Sequence, residues 1–149
     1  MTNKNKLIIP QLAGMYDALA PASYSFMRFA TGAVLVPHGI QKIIVNAAPN
    51  LSASIAKAGL PFPELLAYLA IGAESVGAIC LAIGLLTRIA ALTIFIEMIV
   101  IVFFFQWQFG YFWTTRGYEF ALLWALMCLA IVFRGGGRYS VDRLIGKEI

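Results

Sequence analysis

The sequence predicts an all-α membrane protein: an antiparallel bundle of four transmembrane helices with both termini cytoplasmic. Three observations lead there. Of the 149 residues, 61% are hydrophobic and 12% charged, about half the charged share of an ordinary soluble domain, roughly 25%. The apolar residues gather in four segments near the ~20 residues that a bilayer requires at ~1.5 Å per residue. The basic residues are distributed unevenly between the two sides of that topology. Lys4, Lys6, Arg88, Arg134, Arg138, Arg143 and Lys147 fall on one side, against Lys57 and Arg116, with Lys42 near their end. The positive-inside rule then puts both termini in the cytoplasm.

The same composition narrows the function classes. A net charge of +4 with basic residues at segment ends suits the lipid bilayer as partner and argues against nucleic acid. Cys80 and Cys128 lie inside apolar segments and read as small hydrophobes, so the fold should not depend on a disulfide. A single histidine excludes a bis-histidine haem within the chain, and two isolated cysteines lack zinc spacing. No metal and no intrinsic cofactor are expected. The N-terminus, M-T-N-K-N-K-L-I-I-P, has no continuous apolar core and reads as part of the mature chain.

The elements follow in order. Residues 1–22 form a polar-to-amphipathic lead-in, either a short interfacial helix or a loop. The first span covers about 23–45, with Ser23 able to cap it and Pro37 inside it, between Gly32 and Gly39. Residues 46–62 form a loop able to hold a short surface helix ended by Gly59 and Pro61. The second span, about 63–86, starts on Pro63, a favoured first-turn residue. It is rich in small residues, with Ala73 and Gly77 at close-contact spacing. Leu86-Thr87-Arg88 leaves almost no loop, so the third span, about 89–106, must run antiparallel beside the second. Trp107, Tyr111 and Trp113 then form an interfacial aromatic belt. The fourth span covers about 118–133. Three glycines end it, and Ser140 can start a short segment within the cytoplasmic tail, 134–149.

Several ionisable residues are stranded in these spans, where charge is expensive and marks a pair, a pathway or a site. Arg28 lies five residues into the first span, about 8 Å deep; it either snorkels or reaches toward Glu97 or Glu74. Glu74 and Glu97 fall near mid-membrane and should face the interior, protonated or paired. His38 and Lys42, four apart, share one helix face. Lys42 is expected to pair with Glu119 at similar depth, and His38 to sit over Glu74. A lone helical histidine is more often a packed, hydrogen-bonded residue than a ligand, and that is the other reading of His38.

These residues carry a resemblance. R-F-A-T-G-A-V-L-V-P-H-G-I-Q-K resembles the first signature of the DoxX family. A-E-S-V-G-A-I-C-L-A-I-G-L-L-T-R resembles its second, and Y-E-F-A-L-L-W and G-G-G-R-Y-S-V-D-R-L complete the order over residues 23–145. Arg28, His38, Lys42, Glu74, Arg88, Glu119, Ser140 and Asp142 are among the matching positions; Glu97 is not. The resemblance implies a four-helix protein of the bacterial inner (plasma) membrane. Relatives include the small subunit of thiosulfate:quinone oxidoreductase, and others associated with oxidative-stress defence, so the family does not dictate one activity.

Three functions follow. The first is a redox-associated subunit at the quinone pool, at most part of a quinone-linked oxidoreductase. His38, Lys42 and Glu74 would then be its catalytic residues, and Arg28, His38, Lys42, Glu74 and Glu119 would bind quinone. With no flavin, haem or iron–sulfur motif, electrons would come from a larger membrane complex or from the substrate. The second is a non-catalytic assembly or scaffold subunit of such a complex, or a homo-oligomer, in which the ions only specify helix pairing. The third is a small-solute or proton pathway.

Overall fold

The first long helix starts ten residues earlier than expected, at Ala13 rather than Ser23, and its prolines do not interrupt it. The computed structural model describes residues 7–147; Lys4, Lys6 and the last two residues, used in the readings above, lie outside them. A 3₁₀ turn, Pro10–Leu12, leads into α1, Ala13–Ile44, which runs through both Pro21 and Pro37. The expected break between lead-in and first span at Ser23 is absent. Ser23 does not cap a helix: its hydroxyl donates to the Ala20 carbonyl at 2.9 Å, and Ser25 donates likewise to Pro21 at 3.1 Å. Such back-bonding keeps hydroxyls inside a continuous helix.

After α1, α2 (Ala48–Lys57) packs against the start of α3. α3 (Pro63–Ile83) and α4 (Thr87–Phe109) are each long and apolar enough to cross a membrane. Both contain a wider π-helical turn, Ala73–Gly77 in α3 and Ile101–Gln106 in α4. α5 spans Glu119–Arg134 and a final short helix, α6, spans Val141–Ile145. Ser140 caps α6 by accepting from the Arg143 amide at 3.2 Å. Every regular element among the described residues is helical.

The four long helices pack in sequence. α1 lies along α3, α4 lies along α5, and α3 touches α4 less extensively. The Trp124 indole on α5 donates to the Thr31 carbonyl of α1 at 3.1 Å, joining first helix to last. A stripe on α4, Ala91, Ile94, Met98 and Val102, meets Ala121, Ala125, Cys128 and Ile131 of α5 in the core. α1 and α3 approach backbone to backbone. A Cβ on Gly32 would meet the Ala78 carbonyl oxygen at 2.5 Å, and one on Gly39 would strike the Glu74 carbonyl. Any larger residue would push the helices apart.

Polarity is inverted relative to a soluble protein. Arg28, Glu74, Thr87 and Asp142 are buried, whereas Phe26, Ile44 and Phe133 are at least 70% exposed. Apolar side chains outward and ionic groups inward describe a molecule whose solvent is lipid.

Candidate functional site

Two buried polar clusters stand at different levels of the helices, one at the α3–α4 turn and one midway along α3 and α4. The first surrounds Arg28. Its Nε donates to the Gly136 carbonyl at 3.1 Å, Nη1 to Leu81 and Ala82 at 2.6 and 2.5 Å, and Nη2 to Tyr139 at 2.6 Å. Arg28 neither snorkels nor pairs with Glu74 or Glu97. Its planar fork instead clasps four backbone carbonyls at the end of α3 and in the tail.

Asp142 completes this clasp. The turn between α3 and α4 places Gly84 at φ +75° and Leu86 at φ 46°, a left-handed conformation costly for leucine. Such a tight start offers α4 no side-chain cap of its own. Asp142 supplies one from 55 residues downstream: its carboxylate accepts from Leu86 N at 2.7 Å, Thr87 N at 2.9 Å and Thr87 Oγ1 at 2.6 Å. Its own amide donates to the Gly84 carbonyl at 2.9 Å. Burial pushes the Asp142 carboxyl up, but the Thr87 and Leu86 hydrogen bonds and the nearby Arg28 charge outweigh it and hold it below the ordinary aspartate range. Arg88 then donates from Nη1 to the last carbonyls of α5, Val132 at 3.1 Å and Phe133 at 3.3 Å.

The second cluster lies midway along α3 and α4. Lys42 Nζ on α1 is 2.6 Å from Glu74 Oε2 on the π-helical turn of α3. Lys42 therefore does not pair with Glu119. The Glu119 carboxylate accepts from the Trp113 amide at 3.2 Å and closes its own loop. Glu97 on α4 faces the same ion pair within electrostatic reach. Both Glu97 carboxylate oxygens are buried without a hydrogen-bond partner among the described residues. Cys128 on α5, buried and free, lies within reach of that carboxylate. Lys42, Glu74, Glu97 and Cys128 thus bring all four long helices to one interior point. His38 does not sit over Glu74; it is exposed on the outer surface of α1, one turn before Lys42.

Of the residues expected in the site, the structure joins Lys42 with Glu74, sends Arg28 to the end of α3 and the tail, Glu119 to a loop, and leaves His38 on the outer face. Glu97 and Cys128 are additions. Mid-membrane depth marked Glu97 as interior, but nothing in its sequence neighbourhood ties it to Lys42.

The arrangement can do specific chemistry. Two carboxylates face one ammonium, so the ion pair neutralises one of them. The other requires a proton, a cation or a ligand donor, because a buried unpaired charge is strongly unfavourable. A bound hydroxyl group would satisfy such an acceptor directly.

The DoxX family model matches residues 24–107, more than half of the chain, including Arg28, His38, Lys42, Glu74 and Glu97. A Haemophilus influenzae protein described as uncharacterized is 31% identical over 132 residues, covering 86% of this chain and 94% of the relative. A second Haemophilus influenzae protein, described in the same words, is 30% identical over 93 residues, covering 58% of this chain and 62% of the relative. No solved structure matches. The chain is a membrane protein and belongs to the DoxX family.

Proposed function

We propose that the chain is a four-span protein of the bacterial inner membrane, both termini cytoplasmic, acting as a redox-associated subunit at the quinone pool. The observation that carries this reading is the buried Glu97 carboxyl facing the Lys42–Glu74 pair, a second acid beside one ammonium, deep in an apolar assembly. A quinol presents hydroxyl donors, which fit an orphaned buried acceptor. Quinol oxidation releases protons and electrons together. Glu97 and Glu74 would hold or pass the protons, with Lys42 balancing charge. The outward-facing His38 would meet a lipid-dissolved ring. Electrons would pass to or from a partner in a larger membrane complex, because no electron carrier is recognisable in this sequence.

The test uses the chain with its native membrane partners and decyl-ubiquinol as donor. Glu97→Gln is expected to lower quinol-linked turnover at least tenfold with folding intact, and His38→Ala to raise KM more than it lowers kcat. Unchanged turnover in both variants would end the quinone reading. Proton flux without quinol would replace it with a proton pathway, and turnover lost only on removing a cofactor-bearing partner would leave a scaffold. The topology is checked separately: Lys57→Cys and Arg138→Cys should label from opposite sides of sealed vesicles.

A further inference from the structure

A cavity of about 860 Å³ opens between the early part of α1 and the tail. Among the described residues, four cations line it, Arg134, Arg138, Arg143 and Lys147, together with Tyr24 and one acid, Asp142. That acid does not neutralise them, because its carboxylate is turned to the amides of Leu86 and Thr87. Arg134 stacks over the Tyr24 ring at 4.9 Å, which holds one guanidinium at the cavity wall. The site therefore carries an excess of positive charge in a volume of ligand-binding size.

Its depth is set by the clasp. Asp142 ties α6 to the turn between Ile83 and Thr87, the facing ends of the two membrane-length helices. On the multi-pass reading above, that turn marks the cytoplasmic edge of the hydrocarbon, so the cavity lies at headgroup level. α6 suits such a level. Leu144 is 87% exposed and Ile145 58%, beside Arg143, so one short helix offers apolar side chains for acyl chains and cations for headgroups. A second, smaller cavity of about 310 Å³ runs along the same helix past Ile83, Tyr139 and Leu144.

We propose that this basic cavity binds the phosphate of an anionic phospholipid, with the acyl chains running along Ile83 and Leu144. Guanidinium groups recognise phosphate by paired hydrogen bonds, and basic pockets at the cytoplasmic side of membrane helices favour anionic headgroups.

The test is the association of spin-labelled phosphatidylglycerol and phosphatidylcholine with the full chain in mixed vesicles. The expected result is a preference for phosphatidylglycerol of about fivefold or more. It should fall to near unity in R138Q/R143Q and persist in K57Q, whose lysine lies on the other side. It should also vanish for the unaltered chain near 1 M salt, where the Debye length is ~3 Å. Equal association of the two lipids, or a preference unmoved by salt, overturns the proposal even if the double variant fails to fold. Glycerol phosphate in solution should not displace the lipid at about 10 mM, a concentration at which one phosphate without acyl chains binds weakly; displacement would assign the cavity to a soluble phosphate instead. Failure of the multi-pass reading itself shows differently, as release of the chain from vesicles by alkaline carbonate.

Discussion

The Arg28 clasp and the Lys42–Glu74–Glu97 cluster are buried alike but answered differently. In the clasp, the guanidinium donors that point inward meet backbone carbonyls, and the Asp142 carboxylate meets amides and a hydroxyl. In the other cluster, one ion pair forms and a second carboxylate is left over. A fully satisfied polar network rigidifies a fold; a partly satisfied one is retained where it does something else. Burial of charge thus has two meanings in this molecule, and hydrogen-bond satisfaction separates them.

The comparison breaks most visibly at Arg28. Arg28→Ala leaves four carbonyls in an apolar setting without their donor and is expected to cost more than about 3 kcal/mol. The variant should lose its cooperative thermal transition in detergent. Arg28→Lys should recover only part, since an ammonium cannot span the same acceptors. Next comes Asp142→Ala, which strips the cap from α4 and the support from the left-handed Leu86, at about 1–3 kcal/mol by the same assay. Asp142 also gives this end its pH dependence. Its folded pKa lies below its unfolded value, so its contribution is present above the ordinary aspartate range, ~3.9, and is lost as pH falls through the depressed folded value. Asp142→Asn should flatten that acid limb of a stability–pH curve; an unchanged limb would remove Asp142 from the clasp.

Smaller effects are expected in the other cluster. Glu74→Gln leaves Lys42, 28% exposed, without its partner, and should cost about 1 kcal/mol, less than a fully buried pair. Lys42→Met combined with Glu74→Met should restore most of it in a double-mutant cycle. Glu97→Gln replaces an acid that makes no geometric hydrogen bond among the described residues with a neutral group of the same shape and should change stability by less than about 0.5 kcal/mol, while lowering quinol-linked turnover at least tenfold. A destabilisation as large as that of Asp142→Ala would make Glu97 part of the framework and erase the distinction.

Much of the helical order was legible in the sequence, and the polar pairings largely were not. Pro63 and Ser140 start helices because their local chemistry suits first turns and caps. Ser23 misled because a hydroxyl serves equally well inside a helix by bonding the preceding turn. Depth alone made Glu119 an equal partner for Lys42, but Glu119 is engaged by an amide six residues away in its own loop, Trp113. Arg28 was sought among acids because a sequence displays side chains and hides carbonyls. Asp142 left a clue: L-L-T-R begins α4 with no capping residue, so an acceptor had to come from elsewhere in the chain.

The clasp also has a consequence for biogenesis. Arg28 enters the membrane with the first helix, yet Gly136 and Tyr139, which accept its hydrogen bonds, follow 108 and 111 residues later. At ~5–20 residues per second, the ribosome takes on the order of 5–20 s to deliver them. During that interval a cation sits in the nascent assembly without its final acceptors, and α4 lacks its cap. A stretch synthesised more than 100 residues later therefore completes the lock on α1, and a chain interrupted before Gly136 would carry an arginine that keeps its Leu81 and Ala82 acceptors but lacks the other two.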